Sequence, residues 1–148
     1  MNRIEVGIQE EPLNLSRAAE FTPAPHQGAQ TVFSGVVRNL NHGKKVIAVG
    51  YDAFEPLAKK VLLELAESVL QRWGRGLDVL IRHRTGRLEV GEMSVLIVVN
   101  SPHRAEGFEA SRWIIEEIKK QLPVWKQEYY EEGESAWLSG HALCEKSY

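Results

Sequence analysis

SVLIVVNSPHRAEGFEASRWIIEEIKKQLPVWKQEYY, residues Ser94–Tyr130, carries three elements of different period in a row. Leu96–Val99 is apolar without alternation, the pattern of a strand covered on both faces. Ser101-Pro102 then offers a helix cap followed by proline at the first helical position, where a missing N–H costs nothing. Phe108, Ser111, Ile115, Ile118 and Leu122 recur at spacings of three, four, three and four, which predicts one buried helical stripe. Pro123 disfavours helical backbone at the residue before it, so the helix should end near Gln121 or Leu122 and Trp125–Tyr130 should run extended. A covered strand that feeds a helix and returns as a strand calls for a layered domain of helices and sheet.

Toward the N-terminus, Ser94–Asn100 and Leu77–Arg82 read as strands joined through Arg84–Glu92, whose glycines permit tight reversals. Pro56 opens a helix in which Ala58, Leu62, Leu65, Val69 and Trp73 recur at helical spacing before Gly74 ends it. Thr31–Arg38 and Val46–Phe54 are β-type runs on either side of the polar segment Asn39–Lys45, which predicts a hairpin. Ile4–Ile8 alternates like a short strand, Leu13–Glu20 suits a brief helix capped by Asn14, and Thr22–Gly28 is a breaker-rich surface connection. Near the C-terminus, Ala136–Leu138 reads as extended after a turn at Glu131–Glu134. The sum is an α+β fold, expected as a single domain over residues 1–148.

With 148 residues and 43% hydrophobic content, the chain can bury one real core and is short for two. Eighteen basic residues against 20 acidic ones leave a formal charge of -2, so no global field draws the protein to nucleic acid or an anionic membrane. Any anion affinity must be local. The one cysteine, Cys144, has no partner for an intramolecular disulfide, and neither a CxxC nor a Cys/His cluster suggests a metal or cofactor site. A reducing, cytoplasmic compartment fits that usage. Met1–Glu11 is charged, and no run nears the roughly 18 apolar residues of a membrane span, so neither export nor membrane insertion is expected.

His103 and Arg104 follow Ser101-Pro102 at a helix N-terminus, where cations are disfavoured by roughly 0.3–1 kcal/mol. Two accounts fit that placement. One is an anion site, with unpaired N–H groups, an imidazole and a guanidinium converging on phosphate or carboxylate. The other is a surface pair between Arg104 and Glu106 or another surface acid. Lys119 lies about 100° round from Ile118, at the edge of the predicted stripe, whereas Lys120 points to solvent with Glu116 one turn before it. Lys119 is the better site candidate, although a basic last turn is ordinarily a complement to the helix dipole. Arg38 precedes a polar loop, a common binding position and equally an ordinary strand-edge residue. Trp125, beside Lys126, can stack on a flat ligand, but a tryptophan after a helix is more often core. His42, His83 and His141 lack ligand spacing and read as surface or satisfied groups.

Several blocks together resemble the large-subunit family of molybdopterin synthase, known as the MoaE family. They are Phe33–Asn39 with Asn41 and Gly43, Tyr51–Ala58, His83–Leu88, Ser101–Arg104, Phe108–Ala110, and Lys119 with Pro123–Glu128. They occur in the family's order over about residues 31–128. The resemblance implies an α/β hammerhead-type fold, a homodimer of large subunits, and a small ubiquitin-like subunit docked at each end of a heterotetramer. It implies that the small subunit's Gly-Gly tail enters the large subunit and that its C-terminal thiocarboxylate donates sulfur twice to cyclic pyranopterin monophosphate, forming the dithiolene of molybdopterin. By this likeness Lys119 matches the catalytic lysine and Lys126 the lysine near the thiocarboxylate. Arg38, His103 and Arg104 match the binders of the anionic pterin, and Phe33 a pocket residue. The chain departs at Leu40, where many members have histidine, and at Ile115, where a methionine is known. After Trp137 the match is poor, and no role transfers to His141, Cys144 or Lys146.

The chemistry suits these residues, because a thiocarboxylate is already a good nucleophile and needs chiefly positioning and charge stabilisation as the pterin's side-chain ring opens. Lys119 can serve there as acid, base or transient nucleophile. The rival is a non-catalytic adaptor whose cations grip a partner's acidic tail. Helix geometry adds a constraint. If His103 opens a continuous helix and Lys119 lies in its last turn, their backbones stand about 24 Å apart at about 1.5 Å per residue, so sharing one substrate requires a neighbouring subunit.

Overall fold

The computed structural model describes residues 3–74, 76–131 and 135–137, and the residues expected in the Glu131–Glu134 turn and in the tail from 138 onward fall largely outside these. Cys144 and His141 are among those outside. Two sheets organise the chain. The first runs β1 (Ile4–Gln9), β5 (Asp78–Arg84), β7 (Met93–Ser101), β2 (Ala29–Val36), with β1 parallel to β5 and the rest antiparallel. The second runs β3 (Leu40–Asn41), β4 (Lys44–Ala53), β8 (Val124–Tyr130), β9 (Ser135–Trp137), and β6 (Gly86–Glu89) also pairs with β4. Three helices, α1 (Ser16–Glu20), α2 (Glu55–Trp73) and α3 (Arg104–Gln121), complete the α+β arrangement.

The apolar run at Leu96–Val99 is covered on both faces, as its pattern requires. On one side Val95, Ile97 and Val99 meet α2 through Leu62, Leu65 and Val69 and α3 through Ala110, Ile114 and Ile118. On the other, Leu96 and Val98 lie with Leu80 beneath Ala18 and Phe21, from α1 and the residue that ends it. Pro56 sits in the first turn of α2, and Gly74 at φ 98° ends it with its N–H on the Leu70 carbonyl. Asn14 acts just before α1, its Oδ1 accepting from Ser16 N–H at 2.8 Å, and the helix is shorter than Leu13–Glu20.

Four expectations are corrected. Thr31–Arg38 and Val46–Phe54 do not pair with one another: β2 lies along β7 and β4 along β8, in different sheets. Covering β7 on its free edge outweighs the local turn, and the Asn39–Lys45 segment reverses only the small β3–β4 hairpin, through His42 at φ 51° and Gly43 at φ 78°. Arg84–Glu92 is not merely a connection, because Gly86–Glu89 forms a strand that pairs with Ala48–Tyr51. Ser101 ends β7 and spends its hydroxyl on the His103 carbonyl at 2.7 Å, so His103 occupies the cap position and Arg104 begins the helix. Finally, the buried stripe of α3 is Gly107, Ala110, Ser111, Ile114 and Ile118, while Phe108 is 62% exposed.

The last correction has a packing cause. A Cβ at Gly107 would collide with the Thr31 hydroxyl of β2 and sit 3.0 Å from Ser101 Oγ, so the first turn of α3 touches the sheet through glycine and a large side chain is turned outward. Gly107→Ala gains up to about 1 kcal/mol of helix propensity but incurs overpacking of roughly 1–3 kcal/mol. Urea unfolding is therefore expected to show net destabilisation, and a variant as stable as the parent or more so would contradict the close approach.

Candidate functional site

The two sheets and the last turn of α3 enclose a cleft of about 450 Å³. Its residues arrive by simple periodicities. On β8, Lys126 and Glu128 share one face because side chains alternate, and opposite them on β4 stand Tyr51 and Val49 in register. Phe33 comes from β2, Arg38 from the segment after it, and Leu40, Asn41, His42 and Gly43 from the hairpin at the mouth. Ile115, Ile118 and Lys119 come from the last two turns of α3. The hairpin's approach is pinned by Val37, which donates to the Glu92 carbonyl at 3.0 Å and accepts from Gly91 N–H at 2.9 Å.

Four of the six residues singled out in the sequence therefore line one cavity: Phe33, Arg38, Lys119 and Lys126. Leu40 and Ile115, the two departures from the family pattern, line it too. His103 and Arg104 do not, since they stand at the opposite end of the uninterrupted helix α3. Trp125 is 42% exposed rather than core, because it points to the other face of β8 from Lys126. Lys120 is exposed and pairs with Glu117 at 3.4 Å, whereas Glu116 pairs with Arg112.

Sequence reasoning missed the buried polar groups that hold these cations. Glu128 is buried and lies 3.7 Å from Lys126 Nζ. Asn41 Nδ2 donates to both of its carboxylate oxygens at 2.9 Å, and the Tyr130 hydroxyl donates to Oε1 at 2.9 Å. A carboxylate offers about four lone-pair sites, so Glu128 is occupied by protein groups and anchors Lys126 rather than meeting a ligand. With its charge so engaged, the cleft that also gathers Arg38, Lys119 and Lys126 favours an anion within a protein of net charge -2. The signal in the sequence was the alternation Lys126-Gln127-Glu128, but only the tertiary pairing with Asn41 gives it meaning.

His83 is the second missed group. Expected as a satisfied histidine, it is buried on the cleft wall, its Nδ1 donating to the Arg84 carbonyl at 2.8 Å and its ring edge-to-face with Tyr51 at 5.1 Å. Desolvation lowers its pKa from 6.5 to about 4, against the opposing effect of the Arg84 carbonyl, and the nearby charge of Lys119 lowers it further.

Comparison with known proteins places this arrangement in a class. The fold superposes on the crystal structure of molybdopterin synthase from Staphylococcus aureus with a TM-score of 0.84, at 37% identity, covering 90% of this chain and 96% of that one. The fold is thus that of molybdopterin synthase-like α+β proteins. The chain belongs to the MoaE protein family, whose sequence pattern matches residues 8–121. The molybdopterin synthase catalytic subunit of Synechococcus elongatus is 40% identical over 98% of this chain and 88% of its own, and that of Pyrococcus abyssi 39% identical over 95% of each.

The lowered pKa of His83 has a consequence for stability. The unfolded chain takes up this proton near pH 6.5 and the native state only near pH 4, so between those values the unfolded state binds more protons and stability falls as pH falls. A shift of that size corresponds to about 3 kcal/mol. Relative to His83→Gln, the wild-type protein should lose about that much between pH 6.5 and 4 in denaturant titrations. A stability difference independent of pH would show that the imidazole is not held neutral.

Proposed function

We propose that this chain is the catalytic subunit of a molybdopterin synthase: it moves sulfur from the C-terminal thiocarboxylate of a small ubiquitin-like partner to cyclic pyranopterin monophosphate, twice, to form a dithiolene. The observation that carries the reading is the convergence of Lys119, Lys126, Arg38 and Phe33 in one cleft of a MoaE-family chain. Relatives about 40% identical bear the name of that catalytic subunit, and a subunit implies an assembly. Residues 1–148 act in it as one domain, in the cytoplasm; no described helix is long and apolar enough to cross a membrane.

Each residue has a task that its position allows. The partner's Gly-Gly tail threads the cleft, since glycine passes where side chains do not. Lys126, held by Glu128, stands by the incoming thiocarboxylate. Arg38 grips the anionic pterin through charge-assisted hydrogen bonds, and Phe33 supplies an apolar wall. Lys119 works at the reacting carbon as charge develops on ring opening. With each transfer the thiocarboxylate sulfur bonds to a side-chain carbon of the pterin as a carbon–oxygen bond there breaks, the oxygen leaving with the opened phosphate ring or as water. A second water then cleaves the tail's bond to that sulfur and restores the tail carboxylate. Purified protein, thiocarboxylated partner and precursor should together yield dithiolene, and tail binding without turnover would instead favour an adaptor.

The position of His103 and Arg104 bears on assembly. The continuous helix keeps His103 about 24 Å from Lys119, at about 1.5 Å per residue, too far for one small pterin to bridge. Both sets serve one substrate if a second copy supplies His103 and Arg104, as a two-fold homodimer would do at two sites. The outward Phe108, one turn from Arg104, provides apolar surface on that end of α3. Co-expression of a Lys119→Ala chain with a His103→Ala, Arg104→Ala chain should give a mixed dimer with about half of normal activity, one of its two sites being intact. A mixed dimer as inactive as its parents, or a fully active monomer, would rule this out.

A further inference from the structure

His83 is a buried titratable group for which the reaction as described has no use. Its Nδ1–H is committed to the Arg84 carbonyl, so the neutral ring presents Nε2 as a hydrogen-bond acceptor, directed away from the strand on which it stands. The elements packed around it offer mostly carbon. Ile8 of β1 and Val95 of β7 are its register neighbours, and Tyr51 of β4 faces it through its ring. Arg84, next in the chain, turns its guanidinium to the Glu10 carbonyl and to Glu92. From α3 comes Lys119, which lines the same cleft and is close enough for its charge to act on the imidazole. Among the described residues the only buried polar side-chain atom without a partner is Asn100 Oδ1, so Nε2 is not sealed unsatisfied in the core.

We propose that His83 is a positioning residue for Lys119: Nε2 on the cleft wall accepts a hydrogen bond from the Lys119 ammonium and aims it at the bound substrate. An uncharged acceptor suits that task, because it orients the cation without neutralising it, as a carboxylate in its place would. It also leaves Glu128 to Lys126, so the two lysines have separate anchors on opposite walls, one neutral and one charged. The proposal rests on the reading of Lys119 as the lysine at the reacting carbon.

Two measurements test it. In the full chain without substrate, ¹⁵N ring shifts of His83 should show neutral imidazole with Nε2 accepting, and Lys119→Ala should move the Nε2 resonance to that of an unbonded acceptor while Tyr51→Phe leaves it in place. A shift that answers to Tyr51→Phe and not to Lys119→Ala overturns the proposal. In the complete enzyme, His83→Leu should lower kcat on the order of tenfold with KM for the pterin unchanged, and His83→Gln, whose Oε1 reaches the place of Nε2, should restore most of it. Equal kcat in all three, or Leu and Gln variants of matched stability that are equally impaired, would reduce His83 to packing. Absence of turnover in the wild-type enzyme would reject the functional reading instead and leave the spectroscopic result to decide this one.

Discussion

The cleft exists because α3 stops at a buried joint. Leu122 is inaccessible and closes the helix by donating to the Ile118 carbonyl at 3.0 Å, and Val124 N–H turns back to the Leu122 carbonyl at 2.8 Å. Pro123 between them cannot continue the helix, and its carbonyl accepts from Phe54 at 3.3 Å, tying the turn to the start of α2. The chain therefore leaves a helix packed on the first sheet and enters a strand of the second within three residues. Lys119 before the joint and Lys126 after it face one space from two walls. Were the helix to run on through residue 126, the same lysines would lie on a single rod with no cavity between them.

Electrostatics in that space follow from burial rather than from net charge. The chain as a whole is slightly acidic, yet the one carboxylate among the described residues lining the cleft is occupied by Asn41, Tyr130 and Lys126. What remains toward a ligand is cationic. Partial burial of Lys126, whose side chain is 21% exposed, makes its pairing with Glu128 stronger than a surface bridge and fixes its direction. Asn41 does more than satisfy the carboxylate, since it ties the β3–β4 hairpin to β8 and so holds the cleft's rim, including His42 and Gly43, in place.

The same rigid helix that brings Lys119 into the cleft carries His103 and Arg104 away from it. A helix fixes distance along its axis, so residues at its two ends cannot meet by side-chain adjustment. Close packing of Gly107 on Thr31 and Ser101 holds the far end against β2 and β7. Shifting α3 by a turn to shorten the gap would break that contact and the Leu122–Pro123 joint together. If His103 and Arg104 act on the same substrate as Lys119, this rigidity requires that they come from a second copy.

What the residues alone determined was local. The period of Ala58 to Trp73, the breakers Pro56, Gly74 and Pro123, and the apolar run Leu96–Val99 placed two helices and the central strand, because each depends on neighbours in the chain. The pattern of Arg38, Lys119 and Lys126 with their flanking residues marked the family and three of the cleft's cations. Tertiary structure decided the rest. Which strands pair is settled by which edges need covering, so β2 joined β7 rather than β4, and β6 formed within what read as a loop. The face of α3 that is buried was chosen by the space above Thr31, which admits Gly107 and turns out Phe108 against the apolar spacing. Glu128 and His83 gained their roles from residues 87 positions away in the chain or on another element, and no local pattern records such a contact, because burial and partnership are properties of the folded interior.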